Sequence, residues 1–135
     1  MWFHHHDFAF ELPDAWWKEG GFPGPMPASL SYVAGAIERE GALALVPVSD
    51  IEPVRRNLSH GVFNDNPDSG TARERVVRLL KGFRHGEPIP PVEILRRPKG
   101  AGTPYRLYAG VHRLYCAVAA GFSHVPAVEV GDADA

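Results

Sequence analysis

Residues 105–121 read Y-R-L-Y-A-G-V-H-R-L-Y-C-A-V-A-A-G. Tyr105 to Tyr108 reads as a strand. Gly110 then starts a helix with the apolar run Leu114, Tyr115, Val118 and Ala119, and Gly121 stops it. A strand that passes through a glycine into a helix leaves unpaired backbone N–H groups and a partial positive charge at the helix start. Such an end binds phosphate, and glycine lets the backbone come close. His112 and Arg113 add side-chain donors, and an arginine fork grips two phosphate oxygens at once. Two cations early in a helix oppose its dipole, a cost that makes sense when an anion is bound. From spacing alone a plainer reading stays open: Arg113 answers nearby carboxylates and His112 merely begins a helix.

Outward from this segment, Pro91 to Leu95 reads as a strand. Lys99 to Thr103 (K-G-A-G-T) reads as the turn that pairs it with Tyr105–Tyr108 in a hairpin. Thr71 to His85 is the clearest helix. Thr71 and Glu74 form a T-x-x-E capping box, Val76, Val77, Leu79, Leu80 and Phe83 make its apolar face, and Gly86 follows as the stop. Arg75, Arg78, Lys81 and Arg84 decorate the other side. Ala42 to Val48 predicts a buried strand, and Val125 to Val130 a closing one. The order from residue 42 is β-α-β-β-α-β, an α+β single domain with no internal repeat.

The first 41 residues are a different kind of text. Phe8, Phe10 and Leu12 alternate as in a half-buried strand, and Trp16 and Trp17 follow before Gly20-Gly21 breaks the chain. Residues 21–27 (G-F-P-G-P-M-P) predict an irregular loop. Ser29 to Glu40 is ambiguous: Tyr32, Val33, Ala36 and Ile37 fit a helical face that Gly35 weakens. The expectation is an aromatic-rich N-terminal extension, 1–41, packed on a domain spanning 42–130, with an acidic tail at 131–135. Its aromatic side chains also suit a protein partner's surface or base stacking. His4-His5-His6 reads as a polar segment, because adjacent histidines on a strand point to opposite faces and chelate poorly.

Composition narrows the class. Glycine and proline together supply 14 + 13 = 27 of 135 residues, so loops are plentiful. The net charge of -2 hides an asymmetry. Residues 1–53 carry 2 basic and 8 acidic side chains, net -6. Residues 54–113 carry 12 and 5, net +7. Residues 114–135 carry 0 and 3, net -3. A localised anion site follows. One cysteine, Cys116, permits no internal disulfide and no paired-cysteine zinc site. No apolar run approaches membrane-spanning length and no signal-peptide pattern opens the chain, so the expectation is a cytoplasmic protein with no membrane partner.

Residues 89–130 resemble the C-terminal half of the ParB/sulfiredoxin superfamily. Pro90-Pro91-Val92, Gly110-Val111-His112-Arg113 and Val125-Pro126 fall in order on its P-P-hydrophobic strand, its G-C-H-R helix start and its closing I-P strand. Val46-Pro47-Val48-Ser49 and Asp50-Ile51-Glu52-Pro53 look like its opening strand and turn, so the resemblance covers about residues 42–130. It implies an α+β nucleotide-binding fold in which His112, Arg113 and the Gly110 and Val111 backbone hold the phosphates of ATP or CTP. Arg75 matches the basic residue that contacts phosphate from the preceding helix.

The departures are informative. Val111 stands where sulfiredoxins carry a nucleophilic cysteine, and valine forms no covalent intermediate. Cys116 lies five residues further on and reads as a small core residue, so sulfinic-acid reduction is not expected. Nuclease-like members often show D-G-H-H-R, which Ala109 and Val111 break. ParB's G-E-R-R keeps only Gly110 and Arg113, and its helix-turn-helix domain needs more chain than follows Val130. Free-serine kinases of the superfamily use a carboxylate after the first strand. Asp50 and Glu52 are the candidates here, as a base or as Mg²⁺ ligands beside phosphate, with Arg55 and Arg56 as accessory phosphate contacts. Asn64, Asp65, Asn66 and Asp68 have calcium-loop composition without the EF-hand spacing, and read as a turn-rich loop.

The leading expectation is a nucleotide-phosphate-binding domain, with phosphoryl transfer or nucleotide hydrolysis as its reaction if it is an enzyme. A nucleic-acid-binding or nuclease module, supported by the +7 segment, is the alternative from another class. A non-catalytic regulatory module is the third.

Overall fold

A computed structural model describes residues 1–22, 30–37, 40–55 and 62–133. In chain order they form β1 (Trp2–His5), β2 (Phe8–Glu11), α1 (Asp14–Glu19), β3 (Leu43–Pro47), α2 (Ala72–His85), β4 (Val92–Arg96), β5 (Tyr105–Ala109), α3 (Val111–Ala120) and β6 (His124–Asp132). From β3 onward the order is the expected β-α-β-β-α-β. The described residues make a small mixed α+β fold with two sheets and three α-helices.

The larger sheet runs β3-β6-β4-β5. β6 pairs antiparallel with β3 and parallel with β4, and β4 pairs antiparallel with β5. The inward residues Val46, Val92, Val125 and Ala127 are buried. α3 buries Leu114, Tyr115, Cys116, Ala117, Ala119 and Ala120, and packs against α2 and β4. α2 contributes Val76, Val77, Leu80 and Phe83 to the same core. Its start is as read: the Thr71 hydroxyl accepts from the Glu74 N–H and the Glu74 carboxylate accepts from the Thr71 N–H. Gly86 ends it in the left-handed region.

Three local expectations change. Residues 42–48 do not form a buried strand. β3 is an edge strand paired only with β6, and Leu43, Ala44 and Leu45 are all exposed, Leu43 and Leu45 at 45% and 51%. Residues 30–37, ambiguous in sequence, are not helical. Ala34 bridges Ile89 in parallel, with Gly35 N–H donating to Ile89 O (2.7 Å) and Ile89 N–H to Val33 O (2.9 Å). A Cβ at Gly35 would lie 3.1 Å from the Ile89 carbonyl carbon, so glycine permits the approach. The histidine run is not simply polar surface. Trp2–His5 pairs with Phe8–Glu11 in a hairpin, and alternation turns His5 inward to 3% exposure. Its Nε2 lies 2.7 Å from Ile51 O, so the ring donates from Nε2, and burial holds its pKa below the ordinary histidine value.

The aromatic extension packs into the main core. Phe10 meets Tyr115 edge-on with ring centroids 4.7 Å apart, Trp16 packs on Phe63, and Trp17 is buried with Phe22. Only Trp2 among the three tryptophans is exposed. No helix among the described residues is long and apolar enough to cross a membrane.

Candidate functional site

β5 feeds α3 through Gly110 at φ +106°, ψ +34°. That left-handed conformation is where glycine has no steric penalty. The space is equally restrictive: a Cβ there would sit 3.0 Å from Val92 Cγ1 and 3.3 Å from Val92 Cα. The tight turn aims the first turn of α3 into a cleft of about 270 Å³ lined by Asn64, Asn66, Arg75, Gly110, Val111, His112 and Arg113. No side chain caps α3, and its first turn contains no acid. Its first backbone bond is Leu114 N–H to Gly110 O (2.8 Å), so the N–H groups before Leu114 have no acceptor within the helix.

The side chains around this end are held in place. His112 is 7% exposed, and its Nε2 accepts the Asn64 N–H (3.1 Å). That bond assigns the ring proton to Nδ1. His112 therefore fastens the 62–70 loop to α3, with Phe63 packed against its ring at 5.5 Å. Its Nε2 is committed to this contact. Arg75 reaches from α2 and donates through Nη1 to Asn64 O (3.1 Å) and Oδ1 (3.3 Å). Arg113 donates through Nη1 to Pro91 O (2.7 Å). These acceptors are neutral, so these bonds orient the guanidinium groups without cancelling their charge. The plainer reading of Arg113, a partner for a carboxylate, finds no such partner among the described residues.

The acidic-looking loop is occupied with its own backbone. Asp65 Oδ1 accepts from Ala72 N–H, and Asn66 Oδ1 accepts from the Asp68 and Ser69 N–H groups. Its side-chain oxygens thereby build a turn and anchor the start of α2. Cys116 is fully buried in α3, and burial raises its thiol pKa, so no thiolate is available near the cleft.

The structure brings Arg75, Gly110, Val111, His112 and Arg113 together, and leaves the other candidates elsewhere. Asp50 closes a short 3-10 turn (Val48–Asp50), not the extended backbone that would align it with Glu52. Glu52 sits 2.9 Å from Arg97 Nε and 3.6 Å from Arg106 Nε, in a different cleft. Glu52 is thus already shared by two cations, and it is not aligned with Asp50 as a pair of ligands. Arg55 pairs with Asp7 (2.7 Å) and lines the Glu52 cleft. Arg56 lies outside the described residues. Asn64, whose backbone N–H and carbonyl and side-chain oxygen connect His112 to Arg75, was not legible as a site residue. Its signal was only its place before α2.

No family model, curated protein or solved structure matches this chain.

Proposed function

We propose that this chain is a nucleotide-phosphate-binding domain of the ParB/sulfiredoxin type, with the phosphates of ATP or CTP seated on the N-terminus of α3. One observation carries the reading: the uncapped, acid-free start of α3 opens into a cleft flanked by Arg75 and Arg113, with Arg113 held by the neutral Pro91 carbonyl. Backbone donors, a helix dipole and two guanidinium groups converge there, which is the chemistry a polyphosphate requires. The order of elements and the Gly110–Arg113 motif support the family assignment.

The same groups would stabilise charge on a transferring phosphoryl group. No carboxylate lines the cleft among the described residues. Binding is therefore the activity proposed, with phosphate positioning as its chemical content. Thermal unfolding in the presence of ATP or CTP tests it. A ligand at one hundred times its Kd stabilises by about 2.7 kcal/mol, and Arg113→Ala, weakening binding at least about tenfold, should remove about half of that or more. A folded protein whose unfolding temperature ignores both nucleotides would refute the proposal.

A further inference from the structure

A second cleft, of about 540 Å³, lies at the turn end of the β4–β5 hairpin. Its geometry is built by backbone pairing. Ile51 bridges Tyr105 in parallel, and Glu52 N–H donates to Tyr105 O (2.9 Å). Arg97 N–H donates to Pro104 O (2.8 Å) and closes the hairpin opposite. Glu52, Arg55, Arg97 and Arg106 are thus brought to one cleft, with Val54 and Leu107 supplying apolar lining.

The charges do not balance. Three guanidinium groups and one carboxylate give 3 - 1 = +2 formal charges on the lining, and Asp7, 2.7 Å from Arg55 at the rim, lowers the local sum to +1. Arg97 is the most buried of the three arginines, with its side chain 19% exposed. Its Nε faces Glu52, and its Nη1 donates to Thr103 O and Oγ1. Its Nη2 has no partner among the described residues. Arg106 stands 3.6 Å from the other Glu52 oxygen, beyond hydrogen-bond distance, so it can turn to a ligand without losing a bond. Arg55 lends its charge from the rim while bonded to Asp7.

We infer that this cleft is a second anion site, separate from the α3 end, and that its ligand is a phosphate monoester with a compact apolar body. A monoester carries about 1.5 to 2 negative charges at neutral pH, which suits a lining where guanidinium groups outnumber carboxylates. Its oxygens suit the guanidinium fork of Arg106 and the open edge of Arg97. The cleft volume lies in the range of small-molecule sites, and Val54 and Leu107 can pack the organic part.

Phenyl phosphate, inorganic phosphate and benzoate titrated into ¹⁵N-labelled protein test this. Phenyl phosphate should shift the Arg97 and Arg106 Nε–H signals and the amides of 101–107 saturably, and bind more tightly than either other probe. Arg106→Gln, at a half-exposed side chain that leaves the fold intact, should weaken phenyl phosphate about tenfold, the loss of one charged hydrogen-bond pair. The ATP-induced shifts at 110–113 should be unchanged in that variant, and Arg113→Ala should not weaken phenyl phosphate. Tighter binding of benzoate would overturn the phosphate assignment. Shifts that do not saturate, that fall only on residues 110–113, or that survive Arg106→Gln undiminished would overturn the site.

Discussion

The helices α2 and α3 begin in opposite ways. At α2 the chain satisfies its own donors: Thr71 and Glu74 cap each other, and Asp65 takes the Ala72 N–H. Two carboxylates meet the positive end of its dipole. At α3 a glycine replaces the cap, no acid lies in the first turn, and His112 and Arg113 follow. Both helices carry an apolar face into one core, so burial does not explain the difference. What differs is the destination of the end. The α2 start is finished by protein atoms, which is the economical solution for a helix whose task is packing. The α3 start opens on a cleft with Arg75 and Arg113 at its margin, where the proposed phosphate would meet the positive end of the helix.

That contrast can be broken by exchanging what the two ends depend on. The largest effect is expected at Gly110. Gly110→Ala forces a side chain into positive φ and against Val92, and should destabilise the fold by about 2 kcal/mol in chemical denaturation. It should also impair nucleotide binding, because the backbone turn that aims the α3 donors would shift. Next comes Arg113→Ala. Calorimetric titration should show ATP or CTP binding at least about tenfold weaker, the loss of a charged hydrogen bond, with stability nearly unchanged. Thr71→Ala should do the reverse, costing about 1 kcal/mol of stability and leaving nucleotide affinity intact. Equal effects of Thr71→Ala and Arg113→Ala on both measurements would dissolve the distinction between the two ends.

The smallest expected effect concerns the pH dependence of the N-terminal hairpin against the rest. Burial lowers the His5 pKa, so the unfolded chain binds the proton more readily than the folded one. The stability from this residue is complete above the unfolded value of about 6.5 and declines as pH falls below it. His5→Gln keeps a donor for Ile51 O without titrating. The unfolding temperature of the variant should therefore fall less than that of the wild type between pH 7.5 and pH 5.5. Parallel declines would remove His5 as a source of the acid sensitivity.

Much of this was legible where one residue type has one purpose. Thr71 with Glu74 and Gly86 marked both ends of α2, and Gly110 and Gly121 marked both ends of α3. The association of Arg75 with the α3 start came from family resemblance, and the structure lines both on one cleft. The failures have physical reasons. The apolar run 42–48 carries no record of whether its strand is central or at an edge, because neighbours decide that. β1 was hidden because its inward residue is a histidine held by a carbonyl, which no hydrophobic pattern reports. α1 has six residues, too few for a period to emerge. The two roles of charge were also indistinguishable. Glu52 reads as a free acid in sequence, and only the Ile51–Tyr105 pairing places it between Arg97 and Arg106. His112 reads as a phosphate donor, and only the fold turns its Nε2 to the Asn64 N–H.

The central claim is that the bare end of α3 receives nucleotide phosphate. Amide chemical shifts in ¹⁵N-labelled protein during titration with ATP and with CTP test it most directly. At least one nucleotide should move the amides of 110–113 saturably, with the Arg75 Nε–H signal following the same curve and the amides of 71–74 still. Shifts confined to other surfaces, or none with either nucleotide in a folded sample, would contradict it.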